Sequence, residues 1–262
     1  MINFPSISPI FLHIGPLQLR WYGLAYVCGI SLGALVIKKR LQQAGFTTDD
    51  WLNLITAIAI GVLLGGRLGY ILLYDLPFYL IHPLEIVAFW HGGMAYHGGA
   101  LGCLASIIWF CKTTKKPILP VLDSVSLASP LGIFFGRIAN FINGELYGRP
   151  TTAPWGMVFP QGGPLPRHPS QLYEAFGEGL LLFGFLWIAT RFFRLKPGQG
   201  VALYLIGYGF LRLGLEFFRQ PDPQLGFIIG PFTLGQLLCG LMIVAGLSIA
   251  CRNTVIKKLL IN

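Results

Sequence analysis

Arginine, histidine, asparagine and glutamate recur inside stretches that are otherwise apolar, and their types and spacing set the chemistry open to this chain. Arg137, Asn140, Asn143 and Glu145 form one short run, interleaved with Ile138, Phe141 and Ile142. Arg212, Glu216 and Arg219 follow at i, i+4 and i+7, one face of a helix, so Glu216 can neutralise one of the two cations internally. A guanidinium does not shed its proton in a protein, and its planar fork matches a phosphate or a carboxylate. Buried arginines therefore imply either internal acids or an anionic ligand, and the chain has enough carboxylates for the first alternative. His91 and His97 are each followed by two glycines in HGGMAYHGG, which puts hydrogen-bonding or proton-transfer groups on backbone that another chain or ligand can approach closely. A zinc site would need a third ligand and usually tighter spacing, and neither H-E-x-x-H nor G-x-S-x-G occurs. The cysteines, Cys28, Cys103, Cys111, Cys239 and Cys251, show no C-x-x-C spacing and lie in or at the end of apolar runs, so they read as small buried hydrophobes. No metal and no organic cofactor is expected.

The elements that must position these residues follow from composition. Of 262 residues 54% are hydrophobic and only 11% charged, against about 25% charged in a soluble domain. Such a chain cannot cover its surface with solvated side chains, and its solvent must be lipid. Apolar runs of the roughly 20 residues needed to cross a bilayer lie near residues 17–37, 51–74, 86–111, 117–136, 172–190, 199–218 and 227–251. The expected fold is an all-α polytopic membrane protein with about seven transmembrane helices.

Charge gives an orientation. Lys38, Lys39 and Arg40 follow the first run, Lys112, Lys115 and Lys116 the third, Arg191, Arg194 and Lys196 the fifth, and Arg252, Lys257 and Lys258 the seventh. Set against Asp49, Asp50 and Asp123, that side carries the whole net charge of +9. The positive-inside tendency makes it cytoplasmic, with the N-terminus outside and the C-terminus cytoplasmic. Topology thus accounts for the pI of about 9.5, and no nucleic-acid partner is expected. With no Lys or Arg before Arg20, a cleavable signal peptide with a basic start is disfavoured and the first span is expected to be retained.

At about 1.5 Å per helical residue, Arg67 lies roughly 25 Å from the inner surface, Arg137 about 30 Å from the start of its span, Arg212 roughly 20 Å in, and His97 roughly 22 Å from Lys112 on a span running the other way. Four polar groups on four spans share the outer half of the bilayer, where ionisable residues are functional candidates by default. The segment near 137–169 holds Gly144, Gly148, Pro150, Pro154, Pro160, Pro164 and Pro166 and cannot be a plain helix. It begins at membrane depth, where irregular backbone is tolerated only against protein or a cavity, so it reads as the wall of a site.

These residues carry a resemblance. Gly136 through Gly148, GRIANFINGELYG, resembles the G-R-x-[GA]-N-F-x-N-x-E-x-x-G signature of the bacterial prolipoprotein diacylglyceryl transferase family. The likeness extends to Trp21-Tyr22-Gly23, GGRLGY around Arg67, HGG at His97, RHPSQLYE from Arg167 to Glu174, and Gly207 through Arg212 to Asp222. It implies transfer of a diacylglyceryl group from phosphatidylglycerol to the lipobox cysteine thiol of a preprolipoprotein, giving a thioether and glycerol phosphate. The implied partners are phosphatidylglycerol, membrane lipid and preprolipoprotein signal peptides with a lipobox cysteine. The implied location is the bacterial cytoplasmic (inner) membrane, with the active site facing the outer leaflet and residues 1–262 forming a single membrane-embedded catalytic domain. The attacking sulfur belongs to the substrate, so the enzyme needs no nucleophile. On this reading His97 is the base, and Arg137 and Arg212 hold the phosphate. The resemblance places Asn140, Glu145 and Gly148 beside them, Glu145 orienting an arginine or the headgroup hydroxyls, with Tyr22, Arg67, His168, Tyr208, Glu216 and Arg219 in an outer tier. The stretch from Pro160 to Pro166 is shorter than the outer-face insertion of some relatives, which bears on the cover of the site rather than its chemistry.

Rivals exist in other classes. An anionic-lipid transporter or flippase would also place arginines and broken helices at depth, but it often shows an internal repeat; GGRLGY and GYGFLRLG are only weakly alike. An intramembrane protease would cleave a peptide rather than add mass to its cysteine.

Overall fold

The computed structural model describes residues 2–5, 7–15, 17–88, 92–220, 227–230 and 232–259. They fall into two units, one running to Ile37 and resuming at Asp123, the other Lys38–Leu122. The described residues are mostly helical. The long helices are α1 (Trp21–Gln43), α2 (Thr48–Tyr74), α4 (Tyr96–Thr113), α5 (Ile118–Ile142), α8 (Gln199–Leu215) and α9 (Leu234–Leu259), with a short α3 (Leu76–Ile81) and a 3-10 turn at Pro83–Val87. Between α5 and α8 runs one rod, α6 (Ser170–Glu174), a π-helical stretch over Ala175–Leu181, and α7 (Leu182–Phe192). Short strands complete the chain: β1 (Ile2–Asn3) pairs in parallel with β4 (Met157–Val158), and β2 (Ile10–Ile14) with β3 (Leu17–Arg20) and β5 (Phe227–Ile229) with β6 (Phe232–Thr233) form antiparallel hairpins.

Among the described residues four helices are long and apolar enough to cross a membrane: Trp21–Gln43, Thr48–Tyr74, Ile118–Ile142 and Ser170–Phe192. Their apolar side chains are largely turned outward; Leu72 is 62% exposed and Phe176 63%, which is the pattern of a surface solvated by lipid tails. Two element boundaries depart from the apolar runs. Leu17–Arg20 is a strand, because it pairs with β2 and only then turns into α1 at Trp21. The third long helix starts at Tyr96 rather than near 86, since Pro83 opens a separate 3-10 turn and Gly92 and Gly93 both take positive φ.

In the unit Lys38–Leu122, α2 opens with a reciprocal cap: Thr47 N–H donates to Asp50 Oδ2 at 2.8 Å and Asp50 N–H to Thr47 Oγ1 at 3.1 Å. α2 and α4 then cross backbone to backbone. A methyl at Gly65 would overlap the Gly98 carbonyl, and one at Gly69 would sit 2.7 Å from Gly98 Cα, so this is a small-residue seam of the kind that substitutes for hydrophobic driving force in lipid.

In the other unit, α5, α7 and α8 pack around Leu127, Leu182, Leu186 and Tyr208. α1 meets α5 where a Cβ on Gly29 would come 3.0 Å from Gly132 Cα. α8 begins after Gly198, at φ 89°, with no cap from its own sequence. Its free N–H groups are met from α5 instead: Asp123 Oδ2 accepts from Gly198 N at 2.7 Å and Oδ1 from Val201 N at 2.9 Å.

Candidate active site

Glu174 closes α6 and Glu178 stands in the π-helical stretch, both with at most 1% exposure. A carboxylate so far from water needs cations. They arrive from two directions. From α5, Arg137 Nε lies 2.8 Å from Glu174 Oε2 and its Nη2 3.7 Å from Glu178 Oε2. From α8, Arg212 Nη1 lies 3.1 Å from Glu174 Oε2 and 3.2 Å from Glu178 Oε1, while its Nη2 reaches Glu216 Oε2 at 2.8 Å. Arg219 Nη1 completes the group at 3.6 Å from Glu174 Oε2. Three arginines meet three glutamates, and the group is formally neutral. Glu216 also accepts from Thr233 Oγ1 at 2.9 Å, which ties it to the start of α9.

A second set adjoins Arg137 at the C-terminal end of α5. Asn140 Nδ2 donates to the Tyr22 hydroxyl and to Glu145 Oε1 at 2.9 Å, and its Oδ1 lies 3.5 Å from Arg137 Nη1. Asn143 Nδ2 lies 3.4 Å from the same Glu145 oxygen, and Gln171 Nε2 donates to the Glu145 backbone carbonyl at 2.6 Å. Tyr22, Arg137, Asn140 and Glu145 are thereby one connected polar chain. A cleft of about 380 Å³ lined by Phe4, Ile7, Pro9, Ile142, Asn143 and Pro160 opens beside it.

The irregular segment crosses itself at Gly148. Gly148 N–H donates to the His168 carbonyl at 2.8 Å and Arg149 N–H to the Phe218 carbonyl at 2.9 Å. A Cβ on Gly148 would meet Phe218 O at 2.5 Å and His168 Cβ at 2.7 Å, so only glycine fits. His168 Nδ1 pairs with the Tyr173 hydroxyl at 3.2 Å, and burial holds its imidazole below the ordinary histidine range. Tyr208 lies in the apolar core, stacked on Tyr204 at 5.8 Å.

Arg67 and His97 belong to the unit Lys38–Leu122. Arg67 is 2% exposed and donates to backbone carbonyls of Glu85, Ile86, Ala88, Gly92 and Gly93, with the Tyr79 ring beneath it at 5.1 Å. It holds the segment that leads into α4. His97 sits in the first turn of α4, and its side chain lies outside the described ones; His91, Pro221 and Asp222 lie outside the described residues altogether.

Sequence reasoning gave Glu174, Glu178, Gln171 and Asp123 no part in the site, although Gln171 and Glu174 fall within RHPSQLYE. Their one signal is acidic or amide character inside apolar helices, Glu174 and Glu178 at i, i+4.

Comparison with known proteins supplies the kinship. The family profile for prolipoprotein diacylglyceryl transferase matches residues 9–252. Relatives named phosphatidylglycerol–prolipoprotein diacylglyceryl transferase include that of Rhodospirillum rubrum, 49% identical over 253 residues covering 94% of this chain and 92% of the relative. That of Nitrobacter hamburgensis is 47% identical over 264 residues, 96% and 90% of the two chains. That of Geobacter sulfurreducens is 48% identical over 253 residues, 95% and 96% of the two chains. Identity of this level across almost all of both sequences admits one assignment: the chain belongs to the prolipoprotein diacylglyceryl transferase family.

Proposed function

We propose that this chain transfers the diacylglyceryl group of phosphatidylglycerol to the lipobox cysteine thiol of preprolipoproteins, the first step of bacterial lipoprotein maturation. The observation that carries the reading is the 49% identity, over 94% of the chain, to a relative bearing that name. The protein works in the bacterial inner membrane through about seven spans, with its N-terminus outside, its C-terminus cytoplasmic and its active site toward the outer leaflet. The two compact units act as one catalytic domain, residues 1–262, with 137–169 as its outer-face segment. The net charge of +9 gathered on one side supports this orientation.

In the reaction the substrate sulfur attacks a glycerol carbon. A C–S bond forms from the sulfur lone pair as the C–O bond to phosphate breaks, and its electron pair leaves with the phosphate oxygen. The thiol, with an ordinary pKa of about 8.5, must first lose its proton. His97 takes this proton. Arg137 and Arg212 stabilise the charge that grows on the departing phosphate. Arg137 is the more open of the two, its side chain 19% exposed against 11%, so the phosphate meets its outer edge first. Tyr22, Asn140 and Glu145 fix that edge through the bonds described above, Glu145 facing the headgroup hydroxyls. Arg67, Gly148, His168, Tyr208, Glu216 and Arg219 shape the substrate site around them.

Purified variants assayed with phosphatidylglycerol and a lipobox peptide, read as mass gain on cysteine, test this. Arg137→Ala and Arg212→Ala are expected to lose activity by about a hundredfold or more, as loss of a charge-assisted contact in the transition state does. Arg137→Lys is expected to recover little, because an ammonium is a point charge without the fork. Full activity in His97→Gln would remove the base assignment and leave the phosphate assignment standing.

A further inference from the structure

We propose that Glu174 is a positioning residue for this reaction: its carboxylate gathers the guanidiniums of Arg137, Arg212 and Arg219 and, helped by Glu178, keeps the product phosphate from being held more tightly than the substrate. The inference rests on the function proposed above.

One oxygen does the gathering. Glu174 Oε2 lies 2.8 Å from Arg137 Nε, 3.1 Å from Arg212 Nη1 and 3.6 Å from Arg219 Nη1. The carboxylate is 1% exposed, so water does not compete for these contacts. Both of its oxygens are buried, and neither accepts a hydrogen bond among the described residues, so the contacts at Oε2 are ion pairs. The carboxylate thus holds the three guanidiniums by charge, through one oxygen.

The electrostatic reason lies in the charges of the two ligands. The phosphodiester of the lipid carries one negative charge, whereas a phosphate monoester at pH 7 carries about −1.5 to −2. Three uncompensated arginines would favour the more highly charged product, and binding shared by both states does not raise turnover. Glu174 and Glu178, with Glu216, bring the group to neutrality. The arginines then lack the surplus charge that would hold the product.

The full-length protein in detergent, wild type and Glu174→Gln, would be assayed with phosphatidylglycerol and a lipobox peptide in the presence of added glycerol phosphate. In the Gln variant the inhibition constant for glycerol phosphate is expected to fall by about tenfold relative to the KM for lipid, with a lower kcat, as one unit of negative charge a few ångströms away is removed. A role in packing alone would weaken product binding or leave it alone. An inhibition constant that is unchanged or raised overturns the proposal. Should thermal unfolding show that Glu174→Gln does not fold, Glu178→Gln is read the same way, with a smaller fall expected and an unchanged constant again overturning it. An inactive wild type sinks the function reading and this inference together. An active wild type with an unaltered constant sinks only the inference.

Discussion

Gly148 and Arg137 show how differently two residues of one signature earn their places. Arg137 meets Glu174 and Glu178 from other elements and Asn140 from its own helix, so its role is set by partners. Gly148 is set by space, since any side chain there meets Phe218 O and His168. Gly148→Ala is therefore expected to cost about 2 kcal/mol or more, because the clash is with backbone that cannot swing aside. Thermal unfolding in detergent would measure it, and a Tm equal to wild type would mean that the crossing is looser than described. The polar residues Arg137, Asn140 and Glu145 were legible from sequence as chemistry out of place in an apolar run, and Tyr22 only through the resemblance. Their pairing was not, because Tyr22 meets Asn140 from a helix more than a hundred positions earlier. The arginine partners on α6 and the π-helical stretch were equally hidden, since no local pattern says which acid faces which cation.

Helices were legible where hydrophobicity and length agreed, as in α2, whose apolar run at 51–74 ends at the residue where the helix ends. They were less so where a strand is apolar too, as at Leu17–Arg20, or where glycines with positive φ delay a start, as before α4. The cap on α8 belongs to neither class: its acid is Asp123, on α5, and no sequence rule pairs a helix start with a carboxylate 75 positions away. Asp123→Ala leaves the buried Gly198 N–H and the half-buried Val201 N–H without their acceptors and is expected to destabilise the protein by about 2 kcal/mol. Asp123→Asn, which keeps one acceptor oxygen, should lose less. Equilibrium unfolding in detergent would rank the two, and equal stability of the alanine variant and wild type would remove the cap from the account.

Across the whole molecule, charge asymmetry is what the proposed orientation rests on. In a cysteine-free background, Gln161→Cys is expected to react with a membrane-impermeant maleimide in intact spheroplasts, and Gln42→Cys only after lysis. Both positions are exposed, so access depends on the side of the membrane rather than on burial. The reverse labelling would invert the topology argued from the basic residues.

Asp123 and Gly198 form a latch, and fourteen residues beyond it on α5 stands Arg137, fourteen beyond it on α8 stands Arg212. The two helices act as equal arms of a gauge whose zero mark is that latch, each rising about 21 Å. Equal arm length brings both guanidiniums to the same rung. Adding one residue to a single arm would lift its arginine by about 1.5 Å and swing it by a quarter turn or more around the helix, away from the shared carboxylate. The register of the cationic pair is thus written at the far end of the helices, out of reach of anything that binds there.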